Sequence, residues 1–141
     1  MKYNLTKMIY LASPYSPRNK KLSEGIKTFI RRRRYETITC IAAKLIDKWK
    51  YAFILPITMS HNTAKHMNNP ACGEFKNWAT CDFTYISHCD EVWVVTMNGW
   101  DTSKGVTEEI KFAKSLNIKV SYVCPFTLRI TSNPYNIKEL K

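Results

Sequence analysis

The chain has 141 residues, 45% of them apolar and 23% charged, which is the size and composition of one folded domain with its own core. Its 22 basic and 11 acidic residues give a net charge of +11, typical of a protein with an anionic partner or of a solvated cationic surface. No stretch approaches the roughly 20 apolar residues that span a bilayer, and the apolar run from Met8 to Ala12 is too short for a signal peptide. We therefore expect a cytoplasmic protein that does not bind a membrane.

Five cysteines occur without a CxxC pair or a regular spacing, which argues against a disulfide framework and a structural zinc site. We interpret them as reduced, half-buried thiols. Metal binding by Cys81, His88 and Cys89 is the less favoured alternative. We expect no metal and no organic cofactor.

The first half of the chain contains two predicted strands and one long predicted helix. An apolar, β-branched run predicts a strand from Lys7 to Ala12, followed by a loop from Ser13 to Asn19. An apolar stripe at helical spacing predicts a helix from Ser23 to Lys50. A second strand is predicted from Tyr51 to Ile57. The polar segment from Thr58 to Gly73, rich in Asn, His and Pro, is interpreted as a long loop.

The second half continues the alternation of helices and strands. The run Glu91–Met97 is the clearest buried strand in the chain, and a turn at Asn98, Gly99 and Trp100 follows it. From Pro125 onward the chain has little periodicity and is interpreted as a tail. The other predicted elements are a helix over Glu74–Cys89, a helix over Val106–Leu116 and a strand over Ile118–Cys124.

This alternation is typical of an α/β domain in which helices cover both faces of a parallel sheet of four to five strands. We expect a single domain over residues 1–141, with a core in residues 7–124 and a C-terminal tail in residues 125–141. Ligands of such sheets bind beyond the carboxyl ends of the strands. Three loops should therefore border one crevice: residues 13–18, 56–61 and 97–105.

Glu109 is the first candidate for chemistry in this crevice. It follows Gly105, which allows a close approach of the backbone to a ligand, at a helix start whose amides can bind an anion. A carboxylate four residues after that glycine can reach a sugar held there. The alternative is that Glu108 and Glu109 are first-turn acids that only complement the helix dipole.

Five further residues have both a functional and a structural interpretation. Asp82 lies in the helix before the third strand, where its carboxylate can face the crevice, whereas Asp90 is interpreted as a cap or turn residue. His61 is either a ligand contact or a packing residue. Trp78 and Trp100 either stack on a base or pack against the core.

The arginine run from Arg31 to Arg34 lies inside the long predicted helix, so its side chains fan around the axis. We interpret most of the run as a solvated face. The alternatives are a phosphate contact, with Arg34 as the candidate, and an RNA-binding patch. The sequence contains neither the G-x-G-x-x-G motif of dinucleotide-binding domains nor a P-loop.

Several short segments occur together in a characteristic order: Ile9–Ser16, Pro56–Ile57, Ser60–His61, Trp78, Asp82, Cys89–Val94 and Gly99–Glu109. This ordered set resembles the nucleoside 2-deoxyribosyltransferase superfamily, most closely its short branch of uncharacterised phage and bacterial domains. The resemblance spans residues 8–124, nearly the whole chain. It implies a flavodoxin-like (Rossmann-like), three-layer α/β sandwich with a doubly wound parallel sheet. It also implies a homodimer or larger homo-oligomer in which a neighbour's C-terminal region closes the site.

The resemblance further implies a covalent mechanism with assigned residues. Glu109 matches the family's nucleophilic glutamate, Asp82 its acid near the departing base, and Tyr10 a tyrosine that orients the nucleophile. Ser103 occupies a position where transferases tend to carry an aspartate, and where relatives that hydrolyse nucleoside 5′-monophosphates tend to carry serine. A carboxylate there would repel a phosphate by about 4 kcal/mol for unit charges at about 4 Å, whereas a serine hydroxyl donates a hydrogen bond to it.

We therefore expect an N-glycosidase that cleaves (deoxy)nucleoside 5′-monophosphates through a glycosyl–Glu109 intermediate. Arg18, Ser103 and Gly105 are expected to border the phosphate, and His61, Trp78 and Trp100 the base. Ser13 and Pro56 are the other predicted substrate contacts.

Three other functions remain as alternatives. The first is base exchange between nucleosides, as in the transferases. The second is cleavage of the nicotinamide bond of NAD by the same carboxylate. The third is a non-catalytic module that binds nucleotides or nucleic acid through the arginine run. The sequence specifies neither the base nor the choice between ribose and 2-deoxyribose.

Overall fold

The computed structural model describes residues 3–68 and 74–135. In these residues one α/β domain contains a five-stranded sheet and four α-helices. The strands are β1 (Met8–Ala12), β2 (Ala52–Ile54), β3 (Glu91–Val95), β4 (Lys119–Val123) and β5 (Ile130–Thr131). The helices are α1 (Glu24–Trp49), α2 (Pro56–Ala64), α3 (Phe75–Ser87) and α4 (Lys104–Ser115), with a short 3-10 turn at Trp100–Thr102.

The strand order in the sheet is β2-β1-β3-β4-β5. The first four strands are parallel, whereas β5 runs antiparallel to β4. The prediction of a wholly parallel sheet is therefore wrong at β5. This edge strand pairs only Tyr122 with Thr131 and Val123 with Ile130, and it lies in the segment that was interpreted as a tail. The architecture is consistent with a Rossmann-like fold.

The core forms two clusters because successive side chains of a strand point to opposite faces of the sheet. Ile9 and Leu11 of β1 pack with residues of α1, and Tyr10 and Ala12 pack with residues of α3 and α4. All buried residues of α1 lie in its second half, from Ile38 to Leu45. The first half of α1 is therefore available to border a site at the end of the sheet.

Two local predictions are wrong near β2. The strand ends at Ile54 instead of Ile57, and the first part of the predicted loop, from Thr58 to Ala64, belongs to α2. Pro56 occupies the start of this helix, where a proline's missing amide and fixed φ angle are favourable. Residues 69–73 of the predicted loop lie outside the described residues, as do residues 136–141 of the predicted tail.

Arg34 joins two loops at the carboxyl ends of β1 and β3. Its guanidinium donates to the carbonyl oxygens of Tyr15 at 3.3 Å and Asn98 at 3.4 Å. It packs on Gly99, which has a φ of 91°, and a Cβ at this glycine would lie 2.5 Å from Arg34 Nη2. The structure thus gives Arg34 a role in holding these loops, in place of the phosphate contact that was considered. None of the described helices is both long and apolar enough to cross a membrane.

Candidate functional site

A cavity of about 380 Å³ opens beyond the carboxyl ends of the strands, within the range typical of small-molecule sites. Each of the three predicted loops contributes to its lining. Eight of the predicted site residues line it together: Ser13, Arg18, Pro56, Trp78, Asp82, Ser103, Gly105 and Glu109. The first turns of α2, α3 and α4 also border the cavity, so three helix N-termini converge on it.

Asp82 and Glu109 bring two carboxyl groups to the cavity from different helices. Both are buried, with 8% and 6% of their surface exposed. Burial raises the pKa of Asp82 to about 7, and the nearby Tyr10 hydroxyl opposes this shift. Burial also raises the pKa of Glu109 to about 8, with Tyr10 opposing the shift and the charge of Asp82 adding to it. Paired carboxyls with raised pKa values in a cleft are typical of acid–base and nucleophilic sites.

The position of Glu109 in α4 differs from the prediction. Because the helix begins at Lys104 instead of Val106, Glu109 lies in its second turn and not in its first. The helix has no acidic residue in its first turn. Complementing the helix dipole therefore does not account for this buried carboxylate, since that effect is confined to the first turn.

Tyr10 lies behind the two carboxyls, in β1, and is completely buried. Burial raises the pKa of its hydroxyl well above the usual value, and the Glu109 and Asp82 carboxyls add to the shift. Among the described residues, neither Tyr10 Oη nor Glu109 Oε2 has a hydrogen-bond partner of standard geometry. The hydroxyl nonetheless lies close enough to Glu109 and Asp82 to lower the pKa of both carboxyls.

The cavity face of α3 carries Phe75, Trp78 and Asp82, whose spacing places them on one side of a helix. Phe75 packs close to the start of α4: a Cβ at Gly105 would lie 3.3 Å from its ring and 3.7 Å from Glu109 Oε1. The glycine thus lets α3 approach α4 and the Glu109 carboxyl. The two aromatic rings offer a surface for a planar base next to the carboxyl pair.

The lining is also rich in basic side chains. In the part of the chain that the structure describes, six cationic side chains border the cavity, and they come from the β1–α1 loop, α1, α3 and α4: Arg18, Lys20, Lys27, Arg31, Lys76 and Lys104. Arg31 Nε donates to Ser16 Oγ at 3.1 Å, and Arg18 Nη1 donates to the Thr102 carbonyl at 3.2 Å. Ser103 caps α4 by accepting a hydrogen bond from the Val106 amide at 3.3 Å. Its hydroxyl proton remains available to a ligand.

His61 and Trp100 are not among the described residues that line this cavity. His61 lies in α2, where its Nδ1 contacts the Tyr15 hydroxyl at 2.6 Å and its ring stacks on Tyr35. Trp100 packs against Tyr122 and Tyr135. His61 therefore reaches the site only through Tyr15, which does line the cavity.

Sequence reasoning missed the basic lining on α1. Arg31 and Lys27 are four residues apart and so lie on one face of the helix, whereas Arg32 and Arg33 are exposed. The four-residue spacing of Lys27 and Arg31 is visible in the sequence, but interpreting Arg31–Arg34 as one group obscures it. Phe75 was also missed, although it stands three residues before Trp78 on the same helix.

Asp90 has the structural role that was expected of it, since its carboxylate accepts a hydrogen bond from the Met8 amide at 2.8 Å. Four cysteines fall within the described residues, and all four are free thiols: Cys40, Cys81, Cys89 and Cys124. Cys72 lies outside those residues. Across residues 3–68 and 74–135, no group of three or more His, Cys, Asp or Glu side chains is placed to hold a metal ion.

The chain belongs to the family described as "Domain of unknown function (DUF1937)", whose match extends over residues 7–131. No curated protein matches the chain. The family description names no activity, so the resemblance to the nucleoside 2-deoxyribosyltransferases stays a prediction. The activity has to be inferred from the chemistry of the cavity.

Proposed function

We propose that the protein is an N-glycosidase that cleaves (deoxy)nucleoside 5′-monophosphates by double displacement at Glu109. The observation that carries this proposal is the buried pair of carboxyls, Asp82 and Glu109, in one cavity with an aromatic wall and a basic wall. Glycosidic bonds are cleaved by such pairs, in which one carboxylate attacks and the other carboxyl donates a proton. The proposal includes a flavodoxin-like, doubly wound arrangement of the domain.

In the first step, a Glu109 carboxylate oxygen bonds to the anomeric carbon while the bond between that carbon and the base nitrogen breaks. The base leaves with the bonding electrons and receives a proton from Asp82. The transition state has oxocarbenium character, which the negative charge on Glu109 stabilises. In the second step, Asp82 takes a proton from water, and the water oxygen replaces Glu109 at the anomeric carbon.

This mechanism needs one proton on the carboxyl pair, located on Asp82. With pKa values of about 7 for Asp82 and about 8 for Glu109, the two groups hold about one proton between them at about pH 7.5, with the larger share on Glu109, and they titrate as a unit. Positive charge that develops at the sugar favours the ionised form of Glu109. A base nitrogen within reach of Asp82 favours a proton there. Substrate binding thus favours the distribution in which Asp82 holds the proton and Glu109 is ionised.

The basic lining supports an anionic substrate over a plain nucleoside. Arg18, Ser103 and the first amides of α4 border the cavity next to Gly105, and together they offer donors to phosphate oxygens. Serine at position 103 adds no charge that would repel a phosphate. We place the 5′-phosphate on this side and the base against Phe75 and Trp78.

The family resemblance also implies an assembly of two or more copies. We propose a homodimer or a larger homo-oligomer in which the C-terminal region of one copy covers the cavity of another. Light scattering after size-exclusion chromatography measures this state directly. A mass of a single chain of 16.5 kDa would contradict it.

The test is chromatography of free base released from a panel of nucleosides and their 5′-monophosphates. We compare the wild type with Glu109→Gln and with the matched control Glu108→Gln. Glu108 is the neighbouring carboxylate, only half-buried and within 3.7 Å of Lys111. We expect base release by the wild type and Glu108→Gln, faster from monophosphates than from nucleosides. Glu109→Gln should lose at least about a thousandfold in rate, as expected for a nucleophile.

Other outcomes separate the alternatives. If base release requires an added acceptor base, the protein is a deoxyribosyltransferase and not a hydrolase. If the protein releases nicotinamide from NAD and no base from the other substrates, it is an NAD-cleaving glycohydrolase. Equal activity of Glu109→Gln and the wild type, or no release from any substrate, would contradict the proposed function.

A further inference from the structure

The cavity carries more positive charge than one phosphate group neutralises. Within residues 3–68 and 74–135, six basic side chains line it against three carboxyls. One of the carboxyls, Glu74, already pairs with Lys76 at 3.3 Å, and the other two belong to the buried pair. A phosphate monoester brings at most about two negative charges at neutral pH. The lining is therefore suited to a ligand with a longer anionic group.

The excess charge is ordered along the cavity face of α1. Lys27 and Arg31 lie one helical turn apart, so their side chains are neighbours. The bond from Arg31 Nε to Ser16 Oγ, at 3.1 Å, holds the guanidinium at the cavity. Lys27 keeps only 18% of its side chain exposed, and its ammonium lies 3.2 Å from Glu24 Oε1. Because the Glu24 side chain is 80% exposed, this ion pair is weak and a phosphate can displace it.

Two other arginines of the run lie on the exposed side of α1. Arg32 pairs with Glu36 at 3.3 Å on the exposed side of α1, and Arg33 is exposed as well. Cations on the outer face would favour a nucleic-acid strand that lies across α1. The arrangement of Lys27 and Arg31 instead favours an anion inside the cavity.

A separate observation indicates an unfilled ligand position. Ser13 follows β1 and lines the cavity, and it is only 5% exposed. Its hydroxyl is buried without a hydrogen-bond partner among the described residues. A buried polar group of this kind is costly unless a ligand satisfies it. The hydroxyl is therefore available as a donor to a ligand bound in the cavity.

We propose that the substrate is a nucleotide whose 5′-phosphate is extended by at least one more phosphate group, which Arg31 and Lys27 bind. The proposal rests on the proposed cleavage at Glu109 and extends its substrate class beyond monophosphates. The shared chemistry is a phosphate–phosphate linkage. Its two sources are nucleoside di- and triphosphates, in which the chain ends in phosphate, and dinucleotides such as NAD, in which a second nucleoside follows.

The experiment measures binding by calorimetry to the Glu109→Gln protein, so that turnover does not interfere. The ligands are dAMP, dADP, dATP and NAD at one ionic strength, with EDTA present to remove divalent ions. We expect dADP and dATP to bind at least about tenfold more tightly than dAMP. Adding Lys27→Gln should reduce this ratio to about threefold or less. Adding Arg33→Gln, which removes the same charge from the outer face, should leave the ratio unchanged.

The results for binding and for turnover separate this inference from the proposed function. Equal binding of dAMP and dATP would overturn the inference, and base release from monophosphates by the wild type would leave the proposed function intact. An equal fall in the ratio of dATP to dAMP affinity in the Lys27→Gln and Arg33→Gln variants would also overturn the inference. Such a result would show only a general attraction between the cationic protein and the anionic ligand. Tight binding of dATP without base release from any nucleotide would support the inference and contradict the proposed function. NAD binding tighter than that of dADP and dATP would support it and identify the dinucleotide as the source, whereas weaker NAD binding would identify nucleoside di- and triphosphates.

Discussion

The completely buried Tyr10 side chain ends beside the Glu109 carboxyl. Burial raises the pKa of Glu109 to about 8, and the Tyr10 hydroxyl opposes part of that shift. The same hydroxyl opposes the shift that burial causes at Asp82. One uncharged donor from β1 thus influences both carboxyls of the proposed mechanism, which come from α3 and α4.

Tyr10→Phe should shift the acidic limb of the pH–rate profile to higher pH. Without the hydroxyl, the ionised forms of Glu109 and Asp82 lose a stabilising donor and both pKa values rise. Below the limb, a rise of one pKa unit lowers the rate about tenfold. The measurement is the pH dependence of kcat/KM for base release. Tyr51→Phe is the control, because Tyr51 packs with Trp49 and Trp93 away from the carboxyls. An unchanged acidic limb in Tyr10→Phe would assign Tyr10 a packing role only.

Asp82→Asn should slow cleavage according to the base that leaves. If Asp82 donates a proton to the base, its loss should cost about a hundredfold to ten-thousandfold for guanine or adenine. It should cost under about tenfold for 7-methylguanine, whose ring is already positively charged and leaves without protonation. The rates of guanosine and 7-methylguanosine 5′-monophosphate test this directly.

The control for that comparison is Asp90→Asn, the same chemical change at a carboxylate that binds the Met8 amide. It should affect both leaving groups equally. An Asp82→Asn variant that slows both bases to the same extent would show that Asp82 does not act as the acid.

Glu109→Gln should change how stability depends on pH. The folded-state pKa of Glu109, about 8, lies above its ordinary value of 4.5, so the folded protein holds a proton that the unfolded chain has lost. The free energy of unfolding therefore falls as pH rises from about 4.5 to about 8, and Gln removes this loss. We therefore expect the difference in Tm between Glu109→Gln and the wild type to be more positive at pH 8.5 than at pH 5. Each kcal/mol of unfolding free energy should change Tm by about 4 °C.

Thermal unfolding of the wild type, Glu109→Gln and Glu108→Gln at both pH values measures this effect. Any constant cost of a buried amide cancels when the two pH values are compared. If the difference between the wild type and Glu109→Gln is the same at pH 5 and pH 8.5, the pKa of Glu109 is not raised in the folded protein.

Continuous apolar runs made the central part of the fold predictable. The run Glu91–Val95 is buried at all five positions, and such a run is typical of a strand covered on both faces. The polar segment after Pro56 is wrongly predicted as a loop because its composition is typical of loops. Yet Pro56 itself is a known signal of a helix start. Strand β5 has two residues, too few to show any periodicity.

The carboxyl groups of the site could be proposed from the sequence, but their surroundings could not. Gly105 and Glu109 lie four residues apart, a spacing that is visible in the sequence. The contact between Gly105 and Phe75 depends on how α3 packs against α4, which no local pattern specifies. His61 is predicted at the substrate but contacts the Tyr15 hydroxyl instead. Its segment is a helix, and the sequence interpretation of that segment as a loop gave no indication of which way the His61 side chain points.

The most direct test of the central claim is to trap the glycosyl–enzyme. The wild type is incubated with a 2-deoxy-2-fluoro-arabinonucleoside 5′-monophosphate, whose fluorine destabilises the oxocarbenium-like transition states and slows the second step. The protein is then digested and its peptides are sequenced by tandem mass spectrometry. We predict a phosphorylated sugar on the Glu109 side chain and none on Glu108. A sugar on Asp82, or release of base without any covalent adduct, would contradict Glu109 as the nucleophile.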